Sequence, residues 1–395
     1  MPPPAGAGEY DDAADVLGGL GLIQLDPLTR VSTAQRLTCL TRLPRKHRAE
    51  QVDAALWPAE APASFEAFTK VACVFPLQDW PLLRLRREAT RARHGEKIAP
   101  AVRGRILELV AEHPGGVPTG VLEAEFGPER TTGWHWSQVK EAAELMVRMG
   151  DLVVTARDGV IRLFDLPERA LPAEVREAED LPDDTLRAGL ARRAAASLAV
   201  MTVSDFAHHY HLDKHNARSS RKGSGASTGS PEAIERRERS DAAHGIELAG
   251  LTPVAVEGWR ETAYVLPELL EAEAPETGIG ADGPALGPVK EARLIGPFDP
   301  LLRDRRRAQR IFGFDYTFEA YVPRDKRIYG HYVMGVLSGT ELIGRVDLWR
   351  RSGELVVNQI WAELGYPSRS VTARAKAAAP ILTRQLGVAL RLPDS

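Results

Sequence analysis

The sequence predicts an α+β protein, with tandem winged-helix domains followed by a C-terminal β-barrel-like module. Two consecutive stretches each pass from helical periodicity into short strands, which is the element order of a winged helix. The first stretch closes on Asp158-Gly159, a strong hairpin signal because both turn positions favour positive φ. From Glu291 onward the pattern changes to strand-length apolar runs punctuated by Gly335, Gly339 and Gly344.

Residues 1–100 are expected to be mostly helical and to hold an extended run, Leu20-Gly-Leu-Ile-Gln-Leu-Asp-Pro27. Residues 101–170 read as the first winged helix. It begins with a helix from Val102 to Ala111, a turn at His113 to Pro118 and a short helix from Thr119 to Glu125. A longer helix, Trp136 to Met149, repeats Val139, Ala142, Ala143, Met146 and Val147 at helical spacing. Strands at Leu152–Thr155 and Val160–Phe164 follow.

Residues 171–275 repeat the order. Helices are expected from Leu186 to Leu198, from Thr202 to Tyr210 with Ser204 or Thr202 as cap, and from Ala233 to Ala243. Strands at Thr252–Glu257 and Glu261–Val265 come next. The polar, glycine-rich stretch 219–230 reads as a mobile insert, and Pro275 to Pro288 as a domain boundary. In 285–395, strands are expected at Tyr316–Tyr321, His331–Leu337, Thr340–Trp349 and Glu354–Trp361, with a closing helix from Ser370 to Leu386. Alternation of Phe314, Tyr316, Phe318 and Tyr321 fits a sheet core, the favoured reading, and would equally allow stacking on bases.

Composition bounds the function. At 395 residues, with 44% hydrophobic and 27% charged residues, the chain has room for several globular domains. No apolar run reaches the roughly 18 residues of a membrane span, and the N-terminal residues lack the pattern of a signal peptide. A cytoplasmic, nucleoid-associated protein is therefore expected. Cys39 and Cys73 sit in apolar surroundings and read as buried free thiols. No spacing suggests a metal site, His208, His209 and His211 read as a polar helix face, and no cofactor is expected.

The net charge of −3 hides an uneven distribution. Basic clusters lie at Arg42–Arg48, Arg84–Lys97 and Arg303–Arg310, while acidic residues gather at 168–184 and 267–276. Three basic runs separated from the acid point to a phosphate-facing surface. Arg36, Arg42, Arg45, Arg303, Arg305, Arg306 and Arg345 are the candidate DNA contacts. Several winged helices in one chain argue for duplex DNA. A polar extended element and an added β module argue for an enzyme rather than a regulator.

That polar element is Gln24-Leu25-Asp26. In an extended chain Gln24 and Asp26 share one face and Leu25 takes the other. An amide beside a carboxylate is suited to holding one water, or one developing positive charge, at a fixed point.

The chain resembles the YcaQ/AlkZ family of winged-helix DNA glycosylases, from about Val16 to at least Glu363. The resemblance rests on Leu20 to Pro27 and on Trp134 to Arg169. It rests also on Val256-Glu-Gly-Trp259 with Ala263-Tyr-Val265, and on Leu294–Arg305, Phe314–Pro323 and Ile343-Gly-Arg-Val-Asp347. The catalytic element has the Gln-x-Asp form typical of the YcaQ branch, where the AlkZ branch has Gln-x-Gln. Two segments depart from the family pattern: Thr33-Ala-Gln-Arg36, where relatives read Arg-Ala-His-His, and Phe68-Thr-Lys-Val-Ala72, where Lys70 replaces a histidine.

The resemblance implies hydrolysis of the N-glycosidic bond of alkylated purines, especially N7-alkylguanine, and the unhooking of interstrand crosslinks. It implies double-stranded DNA carrying alkylated or crosslinked bases as partner, a monomer, and catalytic roles for Asp26 and Gln24. The competing expectation is a winged-helix regulator or damage sensor without catalysis. A regulator has no need of the Gln24/Asp26 pair.

Overall fold

The computed structural model describes residues 10–126, 138–212, 241–271 and 291–392. Its contacts divide the chain into two compact units, Met1–Ala55 with Glu268–Ser395, and Leu56–Pro267. This redraws the expected linear succession of domains. The first 55 residues share a core with the C-terminal module, and the rest of 1–100 folds with the segments after it. Sequence periodicity reports local structure, so it carries no sign of this long-range closure.

The chain opens with α1 (Ala13–Leu20), capped by Asp12, whose carboxylate accepts the N–H groups of Ala14 and Asp15 at 2.7 and 3.0 Å. The helix stops at Gly21 in the left-handed region. Then come β1 (Ile23–Gln24), α2 (Ala34–Arg42) and α3 (Ala49–Leu56). Leu37 and Leu40 bury the inner face of α2. The Thr41 hydroxyl reaches the Leu294 carbonyl at 3.3 Å, and the Gln385 amide donates to the Leu40 carbonyl at 3.3 Å. Such bonds tie the N-terminal helices to the C-terminal module.

The second unit begins with an antiparallel hairpin, β2 (Ser64–Phe68) and β3 (Ala72–Pro76), which the sequence reading did not anticipate. Lys70 is exposed in its turn. The unit continues with α4 (Arg84–His94), α5 (Pro100–Glu112), β4 (Val117–Pro118), α6 (Thr119–Glu125), α7 (Gln138–Met149), β5 (Val153–Asp158) and β6 (Ile161–Asp165). The last three strands form a sheet in the order β4-β6-β5, with the expected turn at Gly159. Ile106, Val110, Leu122, Ala143, Met146 and Phe164 are fully buried between helices and sheet, as the helical spacing requires.

Two short helices, α8 (Pro167–Ala170) and α9 (Ala173–Glu177), lead to α10 (Asp183–Leu198), β7 (Val200–Thr202) and α11 (Val203–Tyr210). Thr202 and Asp205 form a reciprocal capping box at the start of α11. Helical residues 241–248 (α12) precede β8 (Thr252–Val254) and β9 (Ala263–Val265), in a sheet ordered β7-β9-β8. The insert 219–230, Trp134, Trp136, the boundary 275–288 and most of the expected helix 233–243 lie outside the described residues.

The C-terminal part comprises α13 (Pro267–Glu271), β10 (Arg293–Ile295), α14 (Pro300–Arg303), α15 (Arg305–Phe312), β11 (Val333–Ser338), β12 (Glu341–Arg351), β13 (Glu354–Ala362), α16 (Ser368–Leu386) and β14 (Ala389–Arg391). The five strands form one sheet ordered β10-β11-β12-β13-β14, antiparallel except for the last pair. Irregular register at Val336/Leu337 and Asp347/Leu348 curls it. It is an open sheet with β10 and β14 at its edges, and α16 covers one face.

The expected strand Tyr316–Tyr321 is absent. Phe314 and Tyr316 are buried and stacked, ring centroids 5.9 Å apart, and the Tyr316 hydroxyl donates to the Val333 carbonyl at 2.7 Å. The aromatics pack against the sheet instead of joining its ladder. Tyr321 leaves the core altogether. Among the described residues no helix is long and apolar enough to cross a membrane.

Candidate active site

Leu22 and Ile23 are fully buried and anchor the short strand β1, whose second residue, Gln24, is itself buried. The extended run is shorter than its sequence suggested. It ends at Asp26, which turns the chain by accepting the Leu28 N–H at 2.9 Å. The Gln24 side chain lies on the same side of the chain, near enough to the Asp26 carboxyl to lower its pKa.

Asp26 is half-buried. Burial pushes its carboxyl above the ordinary range, while the Leu28 N–H and the Gln24 side chain hold it back. The result is a carboxylate more basic than a surface aspartate, held by the Leu28 N–H just past the end of β1.

Tyr332, from the far end of the sequence, feels the charge of Asp26. Burial, and after it the negative charge of Asp26, push the Tyr332 phenol far above its usual value. The Tyr332 hydroxyl is buried with no hydrogen-bond partner among the described residues. Its N–H lies 3.4 Å from the Asp347 carboxylate, which also accepts from the Asn358 amide at 2.9 Å. Burial raises Asp347 as well, against the hydrogen bonds from Asn358 and Tyr332. Gly330 is required here: its φ is +136°, and a Cβ would lie 2.6 Å from Asp347 Cγ. Burial lowers His331, and the charges of Arg30 and Arg327 lower it further. The Arg30 carbonyl accepts the Arg350 N–H at 2.6 Å, fixing the segment just after Asp26.

Sequence reasoning identified Gln24 and Asp26 but passed over Tyr332, His331 and Asn358. Asp347 lay inside the quoted Gly-Arg-Val-Asp segment. The signal for the others was their position at the start of β11 and on β13, across the sheet from Asp347.

Most of the candidate DNA-binding arginines are used inside the protein. Arg42 is largely buried and grips Asp299 with both terminal nitrogens, at 2.6 and 2.9 Å. Arg345 is 3% exposed; it pairs with Glu363 at 2.5 Å and stacks over Phe314 and Tyr329. Arg36 pairs with Asp53 at 2.6 Å. Arg42 and Arg345 are corrected to structural residues, while Arg36 keeps a partly exposed side chain. Arg303 is half-buried, and both it and the exposed Arg45 engage other groups. Arg305 and Arg306 are exposed at the start of α15 without an ion pair among the described residues.

The second basic cluster is likewise consumed. Arg84 pairs with Asp183 and Glu88, Arg87 with Glu179, and Arg91 with Asp151. Gln35 and Arg36, two of the departures from the family pattern, converge on Asp53 and so rebuild the local contacts of α2. His209 is buried edge-on against Tyr210, and His208 is exposed.

The model of the family described as DNA glycosylase AlkZ-like matches residues 17–381, nearly the whole chain. The chain belongs to the AlkZ-like DNA glycosylase family. The fold of Streptomyces sahachiroi DNA glycosylase AlkZ is similar, with a TM-score of 0.57 over 98% of this chain and 95% of that one, at 18% identity. For an AlkZ-like protein, the Gln24/Asp26 pair supplies a half-buried carboxylate and an amide without any second acid hydrogen-bonded to them among the described residues.

Proposed function

We propose that this protein is a monofunctional DNA glycosylase that hydrolyses the N-glycosidic bond of N7-alkylated purines and unhooks interstrand crosslinks of that type. The observation that carries the reading is the half-buried Asp26 carboxylate of raised basicity, held by the Leu28 N–H beside the buried Gln24. N7-alkylation makes the purine cationic, so it departs without a general acid. Bond breaking leaves oxocarbenium character on the deoxyribose, which the Asp26 carboxylate stabilises. Water held by the Gln24 amide attacks C1′, and Asp26 accepts its proton. Ordinary glycoside hydrolysis needs a second carboxyl to protonate the leaving group; this leaving group does not.

A crosslinked base is tied to both strands, so full extrusion into a pocket is sterically awkward. A Gln/Asp pair presented to the sugar suits such a lesion. The two segments in which helices close on a three-stranded sheet read as winged helices, and the protein acts on duplex DNA as a monomer in the cytoplasm, at the nucleoid.

The test is incubation with DNA containing N7-methylguanine, and separately a nitrogen-mustard crosslink, followed by alkaline cleavage at abasic sites. Cleavage by the wild-type chain and none by Asp26→Asn supports the reading. Tight binding without cleavage favours a regulator or damage sensor.

A further inference from the structure

A helix packed on one side normally turns apolar residues inward. The buried residues of α4 are instead Arg86, Arg87 and Thr90. They face a cavity of about 20 Å³ between α4, α7 and the β2–β3 hairpin. Arg148 of α7 joins Arg86 and Arg87 in its wall, with Phe68 and Thr69 of the hairpin and Trp80 opposite, and no carboxylate lines it.

A buried guanidinium carries a desolvation cost that negative charge must offset. Arg87 has Glu179, donates to the Trp80 carbonyl at 2.8 Å and stacks over the Trp80 ring, 3.8 Å from its centroid. Burial nevertheless pulls Arg87 down to about 10, against Glu179 and with repulsion from Arg91. Arg148 stacks over Phe68, 4.0 Å from the ring centroid, and makes no ion pair among the described residues. Glu144, one turn earlier on α7, is taken by Arg162. The wall is therefore short of negative charge.

It also holds an unmatched donor. Trp80 is 3% exposed, and its indole Nε1 is buried without a hydrogen-bond partner among the described residues. Such a group costs stability until something accepts its proton. The nearby Thr90 hydroxyl cannot, since it is spent on the Arg86 carbonyl at 2.9 Å and lies on the other side of that turn's backbone bond. A cavity of this size admits a particle about as large as one water. Cations, an N–H donor and no acid in so small a space suit a single-atom anion; a phosphate group needs more room.

We propose that this cavity binds a monovalent halide of chloride size, between the Trp80 indole N–H and the guanidinium groups of Arg86 and Arg148. The ion ties the hairpin turn to α4 and α7, so its binding stabilises the second unit. The inference does not depend on the glycosylase reading.

The test uses the full-length chain with bromide as probe. Sodium bromide replaces sodium gluconate, whose anion is too large for the cavity, at constant ionic strength. The wild-type melting temperature is expected to rise with bromide and level off, as ligand binding to the folded state requires. Crystals soaked in bromide should show an anomalous peak beside Trp80 and Arg148. Arg148→Met keeps a stem over Phe68 and removes the charge; Trp80→Phe keeps a ring under Arg87 and removes the N–H. Each is expected to weaken bromide by about 10-fold or more, the worth of one hydrogen bond to a charged group. Arg148 is exposed, so that variant folds even where Trp80→Phe does not.

No anomalous peak, with the same bromide response in wild type and Arg148→Met, overturns the site and leaves a water in the cavity. A peak without a saturable melting shift marks an adventitious ion only, and overturns it too. Unchanged bromide affinity in Arg148→Met overturns the assigned ligands. Release of bromide in step with binding of duplex DNA overturns the halide reading, because the site then serves a DNA phosphate.

Discussion

The phenol of Tyr332 is buried within the field of the Asp26 carboxylate, although 305 residues lie between the two in sequence. A hydroxyl buried without a hydrogen-bond partner costs stability, typically about 1–3 kcal/mol. Tyr332→Phe is therefore expected to melt at or above the wild-type temperature. Thermal denaturation followed by circular dichroism reads the change, and a clear fall would show that the hydroxyl is satisfied in solution.

Asp26 should govern both rate and stability, in opposite directions. Asp26→Asn is expected to lose about 10²–10⁴ in excision rate, the usual worth of a positioned base, and Gln24→Ala somewhat less. Asn retains an oxygen for the Leu28 N–H, so the turn survives. Because burial raises the folded-state pKa of Asp26, ionising it costs folding free energy above that pKa. Asp26→Asn should thus be more stable than wild type at neutral pH, with the gap closing as pH falls. Equal melting temperatures at pH 7 would contradict the burial assigned to Asp26.

The same shift sets the acid limb of activity. Under the proposed mechanism the ionised carboxylate is the working form, and excision should fall as pH drops through a value above that of an ordinary aspartate. The Gln24 side chain lowers the Asp26 pKa. Gln24→Ala should therefore move the acid limb to higher pH, as well as lowering the plateau. Single-turnover excision across the acidic range checks both shifts.

Arg42 and Arg305 make contrasting predictions. Asp299 is completely buried at the side chain and caps α14. Removing its partner leaves an uncompensated buried charge, so Arg42→Ala should destabilise the protein by about 3–5 kcal/mol. Arg305→Ala and Arg306→Ala should leave stability within about 0.5 kcal/mol, as befits exposed positions. If they contact phosphates, each reduces the salt slope of DNA binding by about 1. Urea denaturation and salt titration separate the two classes.

Glu319 carries a stability signature of the normal sign for a paired carboxylate. Burial pushes its pKa up, but the N–H groups of Ile328, Gly330 and Tyr329, helped by Arg327, outweigh it and hold the pKa below the ordinary value. Its contribution is present above the unfolded-state pKa and is lost as pH falls through the folded one. Hydrogen exchange at Tyr329 and Gly330 should accelerate in Glu319→Gln at neutral pH. Wild-type protection in that variant would show that the loop is held by something else.

Much of the local architecture was legible in the sequence. The helix Thr119–Glu125, the hairpin at Gly159 and the capped helix after Thr202 all follow from periodicity, turn chemistry and capping. So did the shared face of Gln24 and Asp26, because it depends on neighbours two apart. The arginines were misread for the opposite reason. Whether Arg42 or Arg345 meets phosphate or carboxylate depends on Asp299 and Glu363, distant residues that no local pattern reveals. Tyr316 and Tyr321 belong to one alternating run, yet one is 2% exposed and the other 81%. Alternation predicts opposite faces only where the chain stays in a sheet, and here it does not.

The sharing of one unit by the first 55 residues and the last 128 (268–395) has a consequence for synthesis. Asp26 leaves the ribosome early, but Tyr332, Asp347 and Asn358 follow only after some three hundred further residues. Chains grow at about 5–20 residues per second and fold as their units are completed. An interrupted or C-terminally clipped chain therefore carries the Gln24-Leu25-Asp26 element without the residues that complete its unit.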